Sequence, residues 1–180
     1  MSYSVVWFKR DLRLHDHAAL VEAASRGPVL CLYVVEPALW LQPDAARQHF
    51  EFILESLREL YLALKQHGGR LHVVTGDVLE VLTRIYDQAP FQCLCAHEET
   101  GNDWTYQRDL AVARWCQAHQ VNYLEFRQFG VVRRLADRDH WKASWDAHVE
   151  QLCLPIPPHM QFVEMHWQDA LPPSASRLQL

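Results

Sequence analysis

Short, nearly unbroken apolar runs alternate along this chain with longer stretches whose apolar residues recur at three- and four-residue steps. Tyr3–Phe8, Val29–Val35, Leu71–Val74, Phe91–Cys95 and Val121–Phe126 read as strands. Val29–Val35 is apolar throughout, as a strand buried on both faces requires. Between the strands the spacing predicts helices. One covers His17–Ser25, with Asp16 as its cap and Ala19, Leu20 and Ala23 on its buried face. A long helix runs from about Asp44 to His67, burying Phe50, Ile53, Leu54, Leu57, Leu60, Tyr61 and Leu64, and Gly68-Gly69 stops it. Thr75-Gly76-Asp77 turns into a helix over Val78–Tyr86. Another helix, capped by Asn102 or Asp103, extends to about His119, and a last one lies near Arg138–Glu150. Strict alternation of strand and helix predicts an α/β fold, a parallel sheet with helices on both faces.

The end of the chain breaks this rhythm. Pro155, Pro157, Pro158, Pro172 and Pro173 are five of the nine prolines, a density no regular element holds. Residues 1–150 therefore read as one α/β domain and 151–180 as a linker or wrapping segment, with Phe162, Met165 and Trp167 expected to face a partner surface. A length of 180 residues, 49% of them hydrophobic, suits one domain with a full core. The net charge of −5 argues against a dedicated nucleic-acid surface. No run approaches the ~18 apolar residues of a membrane helix, and Lys9, Arg10, Asp11 and Arg13 interrupt any signal peptide. Cys31, Cys93, Cys95, Cys116 and Cys153 are odd in number and scattered, with no Cys-x-x-Cys pair. They are expected to be buried, reduced thiols, which implies a cytoplasmic setting.

The candidate chemistry lies where strands end, because ligands of open α/β sheets bind at the carboxyl edge. The first such loop, Lys9-Arg10-Asp11-Leu12-Arg13, is basic and bulky. Among six glycines there is no Gly-x-Gly-x-x-Gly, and neither a Walker loop nor Gly-x-Ser-x-Gly occurs. Its cations either form local salt bridges or line a ligand pocket or a domain interface, and in a pocket they could contact phosphate directly. After the fourth strand, His97-Glu98-Glu99-Thr100-Gly101-Asn102-Asp103 offers acids and an amide suited to a heterocycle, or simply a helix cap. Zinc on His97, Glu98 and Glu99 is disfavoured, because adjacent residues on an extended stretch do not converge on one ion. Glu36-Pro37 and Trp40 form a turn from which Glu36 can reach a ligand. Phe129–Asp139 is rich in arginine, but Asp137 and Asp139 favour a solvated, salt-bridged turn over a phosphate patch.

The string Val5–Asp16 closely resembles the opening of the photolyase/cryptochrome family, W-F-(R/K)-x-D-L-R-L-x-D, at Trp7, Phe8, Arg10, Asp11, Leu12, Arg13, Leu14 and Asp16. The resemblance extends from Ser4 to about Val149. It implies a Rossmann-like five-stranded parallel sheet, order 3-2-1-4-5, with Val5–Phe8 central. It implies the family's antenna-chromophore domain, with Phe8, Lys9, Arg10, Asp11, Glu36, Glu98, Glu99, Gly101 and Asn102 as cofactor-binding residues and no catalytic residue or metal. The pigment would be methenyltetrahydrofolate, 8-hydroxydeazaflavin, FMN or a ribityllumazine. FAD would belong to a C-terminal helical domain outside these 180 residues, which is also the expected partner, and UV-damaged DNA would be met through that larger protein. Since the family's electron-carrying tryptophans belong to the flavin domain, Trp7, Trp40, Trp104, Trp115, Trp141 and Trp145 are expected in the core or pocket walls. The function implied is a fragment of a deoxyribodipyrimidine photolyase. The alternatives are a cryptochrome photoreceptor, a stand-alone nucleotide-binding module of universal-stress type, and a scaffold with an empty pocket.

Overall fold

The computed structural model describes residues 2–133, 135 and 137–165; Trp167 and the prolines beyond it lie outside the described residues. Five parallel strands, β1 (Ser4–Phe8), β2 (Val29–Val35), β3 (Leu71–Thr75), β4 (Cys93–His97) and β5 (Asn122–Phe126), form one sheet in the order β3-β2-β1-β4-β5. All residues of β1, β2 and β4 are buried. Side chains alternate across the sheet. Val6, Phe8, Cys31, Tyr33, Val35, Cys93 and Cys95 share one face with α1 (Ala18–Arg26) and α3 (Arg47–Gln66). Val5, Trp7, Leu30, Leu32, Val34, Leu94 and Ala96 share the other with α4 (Val78–Gln88) and α5 (Asp103–Ala118). A short helix α2 (Pro37–Trp40) precedes α3, and α6 (Trp141–Val149) follows β5.

The helix ends show local chemistry at work. Asp77 caps α4 by accepting from the amides of Leu79 and Glu80, and Asn102 caps α5 by accepting from Thr105 N. After α3, Gly68 N–H donates to the Lys65 carbonyl and Gly69 N–H to that of Leu64, with Gly68 at φ 78°. This is the paired closure that a left-handed residue permits. Asp16 does not cap α1. His17 does, its Nδ1 accepting from Leu20 N at 3.0 Å. Asp16 instead adopts φ 52° and binds Leu154 twice, through its own N–H and through Oδ1. Tyr61 lies outside the buried face of α3 and is 42% exposed.

The proline-rich tail is held closely over 154–165. From Leu154 at Asp16 it runs past α1 and α3, placing Ile156, Met160 and Phe162 against the first core. Gln161 and Val163 then pair with Val29 below the start of β3. A Cβ on Gly69 would lie 2.5 Å from the Phe162 ring, so this approach needs glycine there. Met165 is buried in the second core. Phe162 and Met165 thus face the chain's own body, because backbone pairing at Val29 turns them inward. Conversely, Trp141 and Trp145, expected in the core or pocket walls, stack on each other at the surface and are 44% and 40% exposed. Four cysteines are buried, whereas Cys153 is exposed on the tail. No helix among the described residues is long and apolar enough to cross a membrane.

Candidate ligand-binding cleft

A cleft of about 360 Å³ opens at the carboxyl edge of the sheet. Loops leave β1 and β4 there toward opposite faces, the place where open α/β sheets take ligands. Its two sides differ in character. Leu39, Trp40, Phe52 and Ile53, from α2 and α3, make an apolar wall, with Trp40 fixed edge-on to Phe50 at 4.8 Å. Lys9, Arg10, Glu36, Glu99 and Arg108 make a charged floor, and Asp44, Gln48 and His49 stand beside them.

Arg108, on α5, organises the floor. One guanidinium nitrogen donates to Glu36 Oε2 at 2.7 Å, and the other to Glu99 Oε2 at 2.5 Å and to Asp109 Oδ1 at 3.0 Å. The guanidinium lies 4.8 Å from the centre of the Trp7 ring, and Lys9 Nζ lies 4.4 Å from it, adding cation–π attraction. Around this hub the charges are paired in turn. Lys9 reaches Asp109 at 3.0 Å, Arg10 reaches Glu99 Oε1 at 2.7 Å, and Arg133 reaches both Asp109 and Glu125. Arg133 also donates to the Glu99 carbonyl. Burial alone would lift Asp109, but Lys9, Arg108 and Arg133 outweigh it and hold its carboxyl below the usual range. Glu36 goes the other way. Burial dominates the opposing attraction of Arg108, and its pKa is pushed up to about 7. Its Oε1 is buried and has no hydrogen-bond partner among the described residues.

A second polar cluster lies behind the first loop. Asp11 Oδ1 accepts from Lys9 N at 2.7 Å, while Oδ2 lies 2.6 Å from His97 Nδ1 and 2.8 Å from His17 Nε2. All three side chains are buried. Burial would raise Asp11, but its two histidines more than reverse that and depress its pKa strongly. Their atoms are close enough to suggest a three-ligand metal set. The tautomer opposes it: His17 Nδ1 receives the Leu20 N–H, so the proton of neutral His17 sits on Nε2, the atom a metal would need. Burial accordingly keeps His17 below the usual imidazole range. The cluster is a lock joining β1, β4 and the start of α1.

Of the residues singled out in the sequence, the structure brings Phe8, Lys9, Arg10, Glu36 and Glu99 to the cleft. Asp11 is turned inward to the histidine lock. Glu98 is bound through its amide to Phe126 O and does not line the cleft. Gly101 and Asn102 also lie off it. A Cβ on Gly101 would meet Thr105 Oγ1 at 2.6 Å, and Asn102, besides capping α5, donates to Asp44 at 2.8 Å. The basic loop presents no free phosphate-binding set, since Lys9 and Arg10 are paired with acids and Arg13 donates to the carbonyls of His15 and Asp16. Arg108, Tyr33, Phe52 and Ile53 are among the lining residues that the sequence did not single out as such, as are Leu39, Asp44, Gln48 and His49. The sequence signal for Arg108 was faint, an Arg-Asp pair within a helix with no clear apolar stripe.

The DNA photolyase family model matches residues 4–134. A deoxyribodipyrimidine photo-lyase of Thermus thermophilus is 44% identical over 101 residues, covering 54% of this chain and 23% of its own length. Cryptochrome-1 of Anopheles gambiae is 30% identical over 134 residues, covering 68% and 24%. The chain thus spans about a quarter of the length of these relatives. Among solved structures, a bacterial class III photolyase from Agrobacterium tumefaciens superposes with a TM-score of 0.80 at 20% identity, over 99% of this chain and 38% of that one. An archaeal photolyase from Sulfolobus tokodaii, solved with two FAD molecules and discussed for a light-harvesting cofactor, gives 0.73 at 18% identity, over 89% and 38%. These likenesses carry the fold, and the match over 4–134 decides against a universal-stress module: the chain belongs to the DNA photolyase family.

Proposed function

We propose that this chain is the light-harvesting α/β portion of a photolyase and that its cleft holds the antenna pigment. The observation that carries this reading is the pairing of an apolar aromatic wall with a charged floor in one cleft of about 360 Å³. That is the lining and size a planar heterocycle uses. The residues fit such a group. Trp40 and Phe52 line the cleft with aromatic rings, and the buried, unpartnered Oε1 of Glu36 offers an acceptor. When bound, the pigment supplies absorption of blue or near-ultraviolet light. The chain's own part is to orient the ring against Phe52 and Trp40 and to keep Glu36 and Glu99 in register through Arg108.

In the whole protein a C-terminal helical domain would bind FAD, receive the excitation and act on pyrimidine dimers in UV-damaged DNA. Residues 151–180 would lead toward that domain. Dimer repair is preferred to cryptochrome signalling because the Thermus thermophilus photo-lyase match is the more identical, 44% against 30%. The test is titration of the chain with methenyltetrahydrofolate, 8-hydroxydeazaflavin, FMN and a ribityllumazine, followed by absorbance and fluorescence. One pigment is expected to bind. Phe52→Asp, at a position 67% exposed in the cleft wall, is expected to weaken it by about tenfold or more, roughly 1.4 kcal/mol. Glu98→Gln, off the cleft, is expected to leave it unchanged. Equal binding by Phe52→Asp would place the pigment elsewhere, and no binding by any of the four would favour a scaffold role.

A further inference from the structure

Glu36 is the cleft carboxylate with a buried oxygen that neither a hydrogen bond nor an ion pair satisfies among the described residues. Oε2 is held by Arg108 at 2.7 Å, whereas Oε1 is buried with no partner among the described residues. An unsatisfied buried acceptor of this kind costs free energy that a donor on a ligand would recover. The other acids nearby have cations or donors: Glu99 Oε2 takes Arg108, its Oε1 makes no hydrogen bond but lies 2.7 Å from Arg10 Nε, and Asp44 accepts from Asn102. Resting on the reading of the cleft as a pigment site, we propose that Glu36 is its specificity-determining residue, its Oε1 accepting a hydrogen bond from a lactam or imide N–H of a planar heterocycle. Ligands whose ring edge carries only acceptors, or a blocked nitrogen, are then rejected, because the carboxylate would stay buried and unpaired.

The same geometry couples binding to a proton. Arg108 occupies Oε2, so a proton taken up by Glu36 sits on Oε1, where the ligand donor must go. The charged groups acting on Glu36 are Arg108 from α5, Glu99 from the loop after β4 and Asp77 from the turn after β3. Lys9, Arg10, Asp44 and His49 also line the cleft. With Glu36 held near 7 by its burial, ionisation of the carboxyl favours the N–H ligand. Affinity therefore rises with pH up to about 7 and levels above it.

The probes are lumiflavin, which carries an imide N–H, and 3-methyllumiflavin, in which that nitrogen is blocked. Their dissociation constants are measured with the intact chain from pH 5.5 to 8.5. Lumiflavin is expected to bind, to tighten as pH rises toward 7, and to exceed the methylated ring by about tenfold or more. Glu36→Gln, which leaves His49 in place, is expected to abolish the pH dependence. The methyl comparison uses the unaltered chain and needs no variant to fold. Equal affinity for the two rings, or a pH dependence that survives Glu36→Gln, overturns the inference and leaves the pigment site standing. Failure of lumiflavin to bind overturns it as well, and the four-pigment titration then decides whether the pigment site falls with it.

Discussion

Replacing Arg108 by Met keeps much of the aliphatic stem and removes the guanidinium on which the cleft floor depends. Asp109 would still have Lys9 and Arg133, and Glu99 would still have Arg10. Glu36 would lose its one observed ion pair, at 2.7 Å, while remaining buried. Removing one partner of a buried pair costs about 3–5 kcal/mol, which for a chain of this size lowers the melting temperature by roughly 6–20 °C. The pH dependence separates this cause from lost packing. In the intact protein Glu36 is already raised to about 7, and removing the cation raises it further. A native value above the unfolded one means the neutral form is preferred in the fold, so stability is lost as pH rises through that range. The loss on substitution should therefore be larger at pH 8.5 than at pH 5.5, by roughly 1.4 kcal/mol for each unit by which Glu36 is lifted. Urea unfolding at both pH values measures it. A loss below about 1 kcal/mol, or one equal at the two pH values, would refute the claim that Arg108 neutralises a buried carboxylate.

Asp11→Asn tests the histidine lock. With a native value depressed below the unfolded one, Asp11 contributes stability that is present above about pH 4 and is lost as pH falls. The variant should be less stable at pH 7 by about 1–3 kcal/mol and show a flatter acid limb in thermal melts, whereas an unchanged acid limb would remove Asp11 from the account. Met165→Ala should cost about 2–5 kcal/mol in urea unfolding if the tail closes the second core, while Leu152→Ser, at a position 91% exposed, should change stability by less than about 0.5 kcal/mol; similar small effects at both would contradict a docked tail.

The sheet was legible because its signal is local and repeated. β1, β2 and β4 are apolar on both faces, and each is followed by a turn or cap that ends it. Strand order was carried by the resemblance of Val5–Asp16, since periodicity sets strand direction but not adjacency. Half of the cleft was legible too, as the ends of β1, β2 and β4 bring Phe8–Arg10, Glu36 and Glu99 together. The rest depends on contacts between distant residues. Arg108 meets Glu36 across 72 positions of sequence. Asp11 was expected in a loop salt bridge or at the cofactor, because nothing local to it shows that His17 and His97 enclose it. The tail shows how backbone pairing overrides composition: prolines forbid a helix or an interior strand, yet Gln161 and Val163 still pair with Val29. Trp141 and Trp145 were misplaced for the converse reason, since large apolar side chains at helical spacing do not reveal whether anything covers them.

The central claim, that the cleft at the carboxyl edge is the pigment site, is tested most directly by mapping backbone amide shifts of the labelled chain on titration with the pigment that binds. Changes are expected to concentrate at Phe8–Arg10, Glu36–Trp40, His49–Ile53 and Glu99, with the amides of α4 and α6 unmoved. Changes centred on the stacked Trp141 and Trp145, or on the exposed face of α4, with the cleft amides unmoved, would contradict it.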